Sequence, residues 1–391
     1  MRIGIDARFF GPKQKGLGRY VQKLIKNLKD SGEFEFVIFL RKENFNDFHP
    51  PSKNFKKVLA DWRWYTFAEQ IFMPYIIWRE KIDLMHFPHF NVPLFCPTKF
   101  VVTIHDLVLK KFPTKKATTL NPLFYKIKKL GYKIVLSRAV KKSQKIITPS
   151  NFTKKEILKY FKIKPEKIVV IYEGVSKKIE EQKVAFFHDR EKKRLKNLKI
   201  LEKYGIVRPY ILYVGNAYPH KNLEGFILAF AKTIDSKQST VNNLRLVLVG
   251  EIDYFYKKLI LTINKQLITN NLVVFTGFVS DEELPELYRN ATLYVSPAFL
   301  EGFGLPALEA MSYGVPVAAS NTGAQREILG EAALYFRPDD ILDMAEKISL
   351  LLKDVNLREG LINKGFEQLK KYSWQNMAEE TLRVYRSILT I

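Results

Sequence analysis

The sequence holds a single cysteine, Cys96, among 391 residues. One cysteine excludes an internal disulfide framework and accords with a reducing compartment. It lies in Pro93-Leu-Phe-Cys-Pro97 and reads as a small packed residue, not a nucleophile. Long apolar runs are also missing. No stretch approaches roughly 18 uncharged apolar residues, so no segment reads as a bilayer span. The opening Met1-Arg-Ile-Gly-Ile-Asp6 has one basic residue and an early acid, and does not read as a signal peptide. These absences point to a cytoplasmic chain. Acid is scarce: 40 Asp and Glu stand against 64 Lys and Arg, a formal charge of +24. Such a balance suits an anionic membrane surface, nucleic acid or phosphorylated substrates. No zinc spacing or RNP-like aromatic motif supports the nucleic-acid reading. No Asp-x-Asp follows a strand as a metal site would require, since Asp339-Asp340 follows Pro338 and starts a helix. Internal repeats at solenoid periods are absent too.

The scarcity of acid is sharpest from Leu107 to Lys155, which contains no Asp or Glu but many lysines. Apolar and aromatic residues interleave with them in Leu123-Phe-Tyr-Lys-Ile-Lys-Lys-Leu-Gly-Tyr-Lys-Ile-Val-Leu. Two readings stand side by side. A basic amphipathic helix can lie on anionic lipid at the inner face of a membrane. Equally, this is a solvated lysine face with Phe124, Ile127 and Leu130 turned into a core.

What the chain does have is a repeated strand–loop–helix pattern. Ile3-Gly-Ile-Asp6 reads as a buried strand, followed by a loop with Gly16 and Gly18 and a helix over Tyr20–Leu28. That order opens a doubly wound α/β domain. A third glycine at the right place is missing, which disfavours a nicotinamide dinucleotide site. Further strands read at Phe34–Leu40, Asp83–Phe87, Val101–Ile104, from Lys145 and from Ile168. Trp62 to Pro74 reads as a helix whose aromatics are mostly core. Ser150 or Thr153 can cap the helix that follows the Lys145 strand, and Glu156 completes a Thr-x-x-Glu box. Residues 175–208 are charged and poorly periodic, as a linker is, apart from a helix near Lys192 to Tyr204. A second α/β run starts at Pro209, with strands at Leu244–Val249, Leu272–Phe275, Leu293–Val295, Val315–Ala319 and Ala333–Phe336. The expected division is 1–174, a linker over 175–208, 209–373, and a last amphipathic helix at about 374–391.

Two positions stand out on physical grounds. His105 sits directly after a buried strand, and ligands in open α/β sheets bind at the carboxyl ends of strands. The second is Ser296-Pro-Ala-Phe-Leu-Glu301-Gly-Phe-Gly-Leu-Pro-Ala-Leu-Glu309. Gly302 and Gly304 precede a helix opened by Pro306. Unpaired N–H groups at such a helix start favour an anion, and the two carboxylates can accept from sugar hydroxyls.

This stretch resembles the signature of the retaining glycosyltransferases of family GT4: a Glu, seven residues, a second Glu, and Gly-Phe-Gly after the first. The resemblance covers nearly the whole chain and implies the GT-B fold, two Rossmann-like domains facing across a cleft with the last helix crossing back to the first. It implies that Glu301 holds sugar hydroxyls, Glu309 the ribose hydroxyls, and that Gly302, Phe303, Gly304 and Leu305 line the donor. His105 matches a histidine that hydrogen-bonds the donor sugar. Lys221 matches a diphosphate-binding lysine, whereas Asn216 and His220 stand where arginines are common. Gly16-Leu-Gly18-Arg19 resembles a loop near donor phosphates and acceptor, and Phe278-Val279 a pair whose backbone touches the donor base. Trp64-Tyr-Thr-Phe-Ala-Glu-Gln70 and Pro88-His89-Phe-Asn91-Val-Pro93 resemble the mannosyltransferase-like branch, which implies GDP-mannose and puts His89 and Asn91 on the acceptor side. A UDP-sugar is the runner-up. The implied acceptor is a glycan or lipid-linked glycan, with no metal or other cofactor. A GT-B sugar epimerase or phosphorylase would share the architecture without the paired glutamates.

Overall fold

The first strand, β1 (Arg2–Asp6), buries Ile3, Ile5 and Asp6 alike, as a parallel strand covered on both faces does. The computed structural model describes residues 1–11, 14–28, 32–111, 122–175, 198–235, 243–263, 267 and 270–389. Most of the expected linker and residues 112–121 of the basic segment, with the side chains of Phe124 and Ile127, lie outside the described set.

The chain divides into two compact units. The first comprises Met1–Leu107, Thr118–Gly174 and Ser373–Ile391, and the second Val108–Ala117 and Val175–Tyr372. In the first, β1 is joined by β2 (Glu35–Leu40), β3 (Phe55–Leu59), β4 (Leu84–Phe87), β5 (Lys99–Thr103), β6 (Lys145–Thr148) and β7 (Ile168–Val170). They form one seven-stranded sheet in the order β3-β2-β1-β4-β5-β6-β7. Every pairing is parallel, so all the carboxyl ends share one edge. The order reverses between β1 and β4, which opens a crevice at that edge.

The second unit repeats the plan with β8 (Tyr210–Val214), β9 (Arg245–Val249), β10 (Val273–Gly277), β11 (Leu293–Ser296), β12 (Val317–Ser320) and β13 (Ala333–Phe336). Its six strands run parallel in the order β10-β9-β8-β11-β12-β13, reversing between β8 and β11. Each unit has its own apolar core. The two Rossmann-like sheets are those the sequence implies.

The last helix, Trp374–Leu389, belongs to the first unit. It buries Met377, Ala378, Leu382 and Tyr385 and packs on the Lys15–Asn27 helix. A Cβ at Gly174 would lie 2.0 Å from the Trp374 nitrogen, so only glycine lets the chain pass there.

Three readings need correction. The helix expected from Trp62 runs from Phe67 to Arg79, capped by Thr66, and its aromatics are not mostly core. Phe67 is 91% exposed and Phe72 44%, because the face turned to the sheet carries Met73, Ile76 and Ile77 instead. The Asn151–Tyr160 helix is capped by Ser150, whose Oγ accepts from the Thr153 nitrogen at 3.1 Å. Thr153 therefore caps nothing and builds no box with Glu156; its hydroxyl donates to the His105 carbonyl at 3.2 Å. Finally, the helix after Gly304 begins at Leu305, placing Pro306 in its second position.

Candidate active site

The crevice edge of the second sheet gathers the residues that follow β8 and β11. After β8, the chain makes a short 3-10 turn over Pro219–Lys221, and Asn222 adopts a left-handed φ of 59°. The Asn222 amide donates to the carbonyls of Pro297, at 3.2 Å, and Pro338, at 2.6 Å. The Phe299 nitrogen donates to the His220 carbonyl at 2.9 Å. These bonds lock the β8 loop to the β11 loop. Across them Lys221 Nζ meets Glu301 Oε1 at 2.6 Å, with both side chains less than one-fifth exposed. A cation from one strand end and a carboxylate from the next thus share the switch point.

Other implied donor residues take distinct places around that pair. Gly304 is the N-cap of the Leu305–Ser312 helix and has a φ of 90°, a left-handed value that favours glycine. Gly302 and Leu305 are buried. Phe303 is buried edge-on against Tyr372, so its ring packs the loop and only its backbone can face a ligand. Glu309 Oε2 accepts from the Tyr288 hydroxyl at 3.1 Å. The Asn216 amide oxygen accepts from the Tyr218 nitrogen at 3.2 Å, which shapes the loop. Phe278 is 59% exposed just after β10, while Val279 is buried. Burial, and then the Lys221 charge, pushes His220 down to about 3, so it is neutral at pH 7 and adds no cation.

In the first unit, four carboxyl ends converge on polar groups. His105 follows β5, and Glu173 follows β7. His105 Nδ1 lies 3.0 Å from Glu173 Oε1, and Nε2 lies 3.0 Å from the Pro88 carbonyl. Both ring nitrogens face acceptors, an arrangement that favours the protonated ring. Burial works against the charge, but the Glu173 hydrogen bond and charge outweigh it and hold His105 above its ordinary value. Tyr20 packs edge-on to the ring at 4.7 Å. His89 Nδ1 lies 3.0 Å from Asn91 Oδ1, and burial, followed by the His105 charge, pushes His89 down to about 3. Asn91 is itself buried and donates to Glu69 Oε1 at 3.1 Å. In the glycine loop the two positions differ. A Cβ on Gly18 would lie 2.1 Å from the Gly11 carbonyl oxygen, whereas Gly16 is exposed with open space beside it. Arg19 is half-buried on the following helix.

The raised His105 value has a signed consequence. The folded value lies above the unfolded one, so the pair's contribution is complete below about pH 6.5 and fades as pH rises through the raised value. Glu173→Gln should lower the titration midpoint of the His105 ring, read by NMR, and flatten the fall in melting temperature as pH rises through the raised value. An unchanged midpoint would remove Glu173 as the cause.

Sequence reasoning missed three residues at this edge. Arg8 follows β1 and is fully buried, with Nε donating to Asp6 Oδ1 at 2.8 Å and Nη2 bridging to Asp6 at 2.7 Å and Glu69 at 2.6 Å. Glu69 and Glu173 complete the set. Arg8 comes just past the end of the buried strand β1, the signal that singled out His105, whereas Glu173 follows β7, a half-buried edge strand that gives no such signal. A buried polar chain lies behind them. The Tyr385 hydroxyl contacts His86 Nδ1 at 2.5 Å, His86 Nε2 contacts Thr103 Oγ1 at 2.8 Å, and that oxygen lies 3.2 Å from the Tyr20 hydroxyl.

Comparisons with known proteins bear on the enzyme class and the fold. Residues 194–368 match the family model described as Glycosyl transferases group 1, and residues 14–178 the model described as Glycosyltransferase Family 4. The protein is a glycosyltransferase of GT-B fold. The glycosyltransferase is 28% identical over 394 residues to O-antigen chain mannosyltransferase B of Escherichia coli, covering 95% of this chain and 96% of the relative. To O-antigen chain mannosyltransferase RfbU of Salmonella typhimurium it is 27% identical, over 81% of this chain and 77% of that one. Its fold matches that of a sucrose-phosphate synthase from Thermosynechococcus elongatus with a TM-score of 0.74 at 19% identity, covering 100% of this chain and 99% of that one. No helix among the described residues is long and apolar enough to cross a membrane.

Proposed function

We propose that this glycosyltransferase moves mannose from GDP-mannose to a glycan or lipid-linked glycan acceptor with retention of configuration and without a metal. The observation that carries the donor half is the Lys221–Glu301 pair at the β8/β11 reversal. A cation and a carboxylate side by side at a strand-end crevice suit a ligand that carries both anionic groups and hydroxyls. The names of the two O-antigen relatives support mannose as the sugar.

In this reading the bond between the anomeric carbon and the diphosphate oxygen breaks, and an acceptor oxygen bonds the same carbon on the same face. The acceptor proton passes to the departing phosphate oxygen. Lys221 and the backbone amides ahead of the Leu305–Ser312 helix stabilise the charge that grows on the diphosphate. Glu301 holds sugar hydroxyls and Glu309 the ribose hydroxyls. Asn216 donates its amide to the diphosphate, and the backbone at Phe278-Val279 meets the base. His105, held between Glu173 and Pro88, orients the sugar. Gly16 and Gly18 lie near the donor phosphates, and Arg19, His89 and Asn91 border the acceptor in the same reading.

Thermal-shift screening tests the donor, because a ligand that binds only the folded form raises its melting temperature. GDP and GDP-mannose should raise it more than UDP, ADP or their sugars, and a chelator should leave mannosyl transfer unchanged. A shift with UDP-sugars alone would overturn the GDP-mannose assignment.

A further inference from the structure

The Phe67–Arg79 helix turns the wrong kind of face to solvent. Its inner side buries Met73, Ile76 and Ile77 against the first sheet. An amphipathic helix should then show polar residues outside. Instead Phe67, Ile71, Tyr75 and Trp78 are 91%, 65%, 53% and 68% exposed. Their spacing of four, four and three residues lines them up on one stripe. No charged side chain between Phe67 and Trp78 is exposed; the acid in that span, Glu69, is buried on Arg8. Singly exposed apolar residues are ordinary, but a continuous apolar stripe marks an interaction surface.

The stripe continues sideways onto cationic ground. Gln70 Oε1 accepts from the Leu94 nitrogen at 2.8 Å, fixing the neighbouring loop beside the helix. Phe95, next in that loop, is 78% exposed, and the Arg138 guanidinium lies over its ring at 5.5 Å. Arg138 belongs to the Pro122–Lys142 helix. One and two turns before it, Ile134 and Leu130 are exposed on the same side. Lys129, Lys133 and Lys141 are exposed on that helix as well. Aromatic and aliphatic tips beside lysines, with no acid from Leu107 to Lys155, fit one class of partner. Trp and Tyr favour the boundary between headgroups and acyl chains, and lysine is drawn to anionic headgroups. A second copy of this chain would set lysine against lysine.

We infer that the Phe67–Trp78 stripe, with Phe95 and the Pro122–Lys142 helix, is a docking surface for an anionic lipid bilayer. The aromatic side chains enter the headgroup region and the lysines contact lipid phosphates. The surface is independent of the donor site. It extends the lipid reading of the basic segment onto a helix whose aromatics the sequence pattern assigns to the core.

Co-sedimentation of the full chain with vesicles tests it, using phosphatidylglycerol mixed with phosphatidylcholine against phosphatidylcholine alone. The wild-type chain should bind the anionic vesicles, with a blue shift in fluorescence that Trp78→Phe diminishes. Phe67→Asp/Ile71→Asp/Trp78→Asp should weaken binding about tenfold or more. Those side chains are exposed, so the melting temperature and the response to nucleotides should stay unchanged, which separates this result from any failure of the donor reading. Equal binding of variant and parent would overturn the proposal, as would no binding by the parent. A parent that is dimeric without lipid and a variant that is monomeric would assign the stripe to self-association instead.

Discussion

Lys221→Ala should lower kcat/KM for mannosyl transfer by about 100- to 1,000-fold, the loss typical of removing one preorganised group from a developing charge. That is roughly 3–4 kcal/mol of transition-state stabilisation. The lysine is held by Glu301 at 2.6 Å and aimed by a loop bonded through Asn222 and Phe299, so its ammonium needs little ordering to act. Lys221→Arg should keep part of the rate, because the charge survives while the geometry of a point cation is lost. Glu301→Gln should fall by a comparable factor and weaken sugar recognition more than nucleotide binding. Nucleotide affinity measured by calorimetry separates the two: it should drop in Lys221→Ala and hold in Glu301→Gln. Wild-type turnover in Lys221→Ala would sink the site assignment.

Arg8→Ala should be the most destabilising single substitution among the residues described here. It strips the cation from two buried carboxylates, Asp6 and Glu69, and breaks a bond to the Trp62 carbonyl. Removing one partner of a buried ion network typically costs about 3–5 kcal/mol. Against a typical domain stability of about 5–15 kcal/mol, that leaves the first unit marginal. The chemical-denaturation midpoint should fall accordingly, and the transition of the second unit should stay in place. Acidity gives a further check. Burial raises Glu69 while the Arg8 charge pulls it down. Without Arg8 the carboxyl rises further, the folded state takes up its proton sooner, and stability grows as pH falls through that range. The variant should therefore regain part of its loss in mildly acidic buffer. A midpoint within experimental error of wild type would show that the network contributes nothing net.

The strands were legible because most are buried on both faces, and such segments read as short apolar runs whatever surrounds them. β3 escaped: Phe55-Lys-Lys-Val-Leu59 is an edge strand whose Lys56 and Leu59 are exposed, so no run forms. His105 was found as a polar residue just past a strand end, and Lys221 through the resemblance of its strand-to-helix loop to the family pattern. Their partners were harder to see. Glu69 lies 61 residues from Arg8, and Glu173 lies 68 from His105, so nothing local announces either pair. Phe303 shows the converse: its place in the signature implies contact with the donor, yet its ring is fixed by Tyr372 from a distant helix end. Aromatic spacing from Trp62 to Pro74 gave a helix but not its orientation. Only the competition between Met73, Ile76 and Ile77 and the outer residues for the sheet settles which side is wet.

The Trp374–Leu389 helix sets an order on synthesis. Ribosomes deliver the strands of the first sheet early, yet the side chain that partners His86, Tyr385, emerges only after all of the second sheet. The earlier-made sheet must wait, with its Lys15–Asn27 helix uncovered, while the later-made one can close by itself. A chain cut after Tyr372 and released would therefore carry every residue of the second unit but lack the last helix of the first. Damage near the end of the message strikes the half that was translated first.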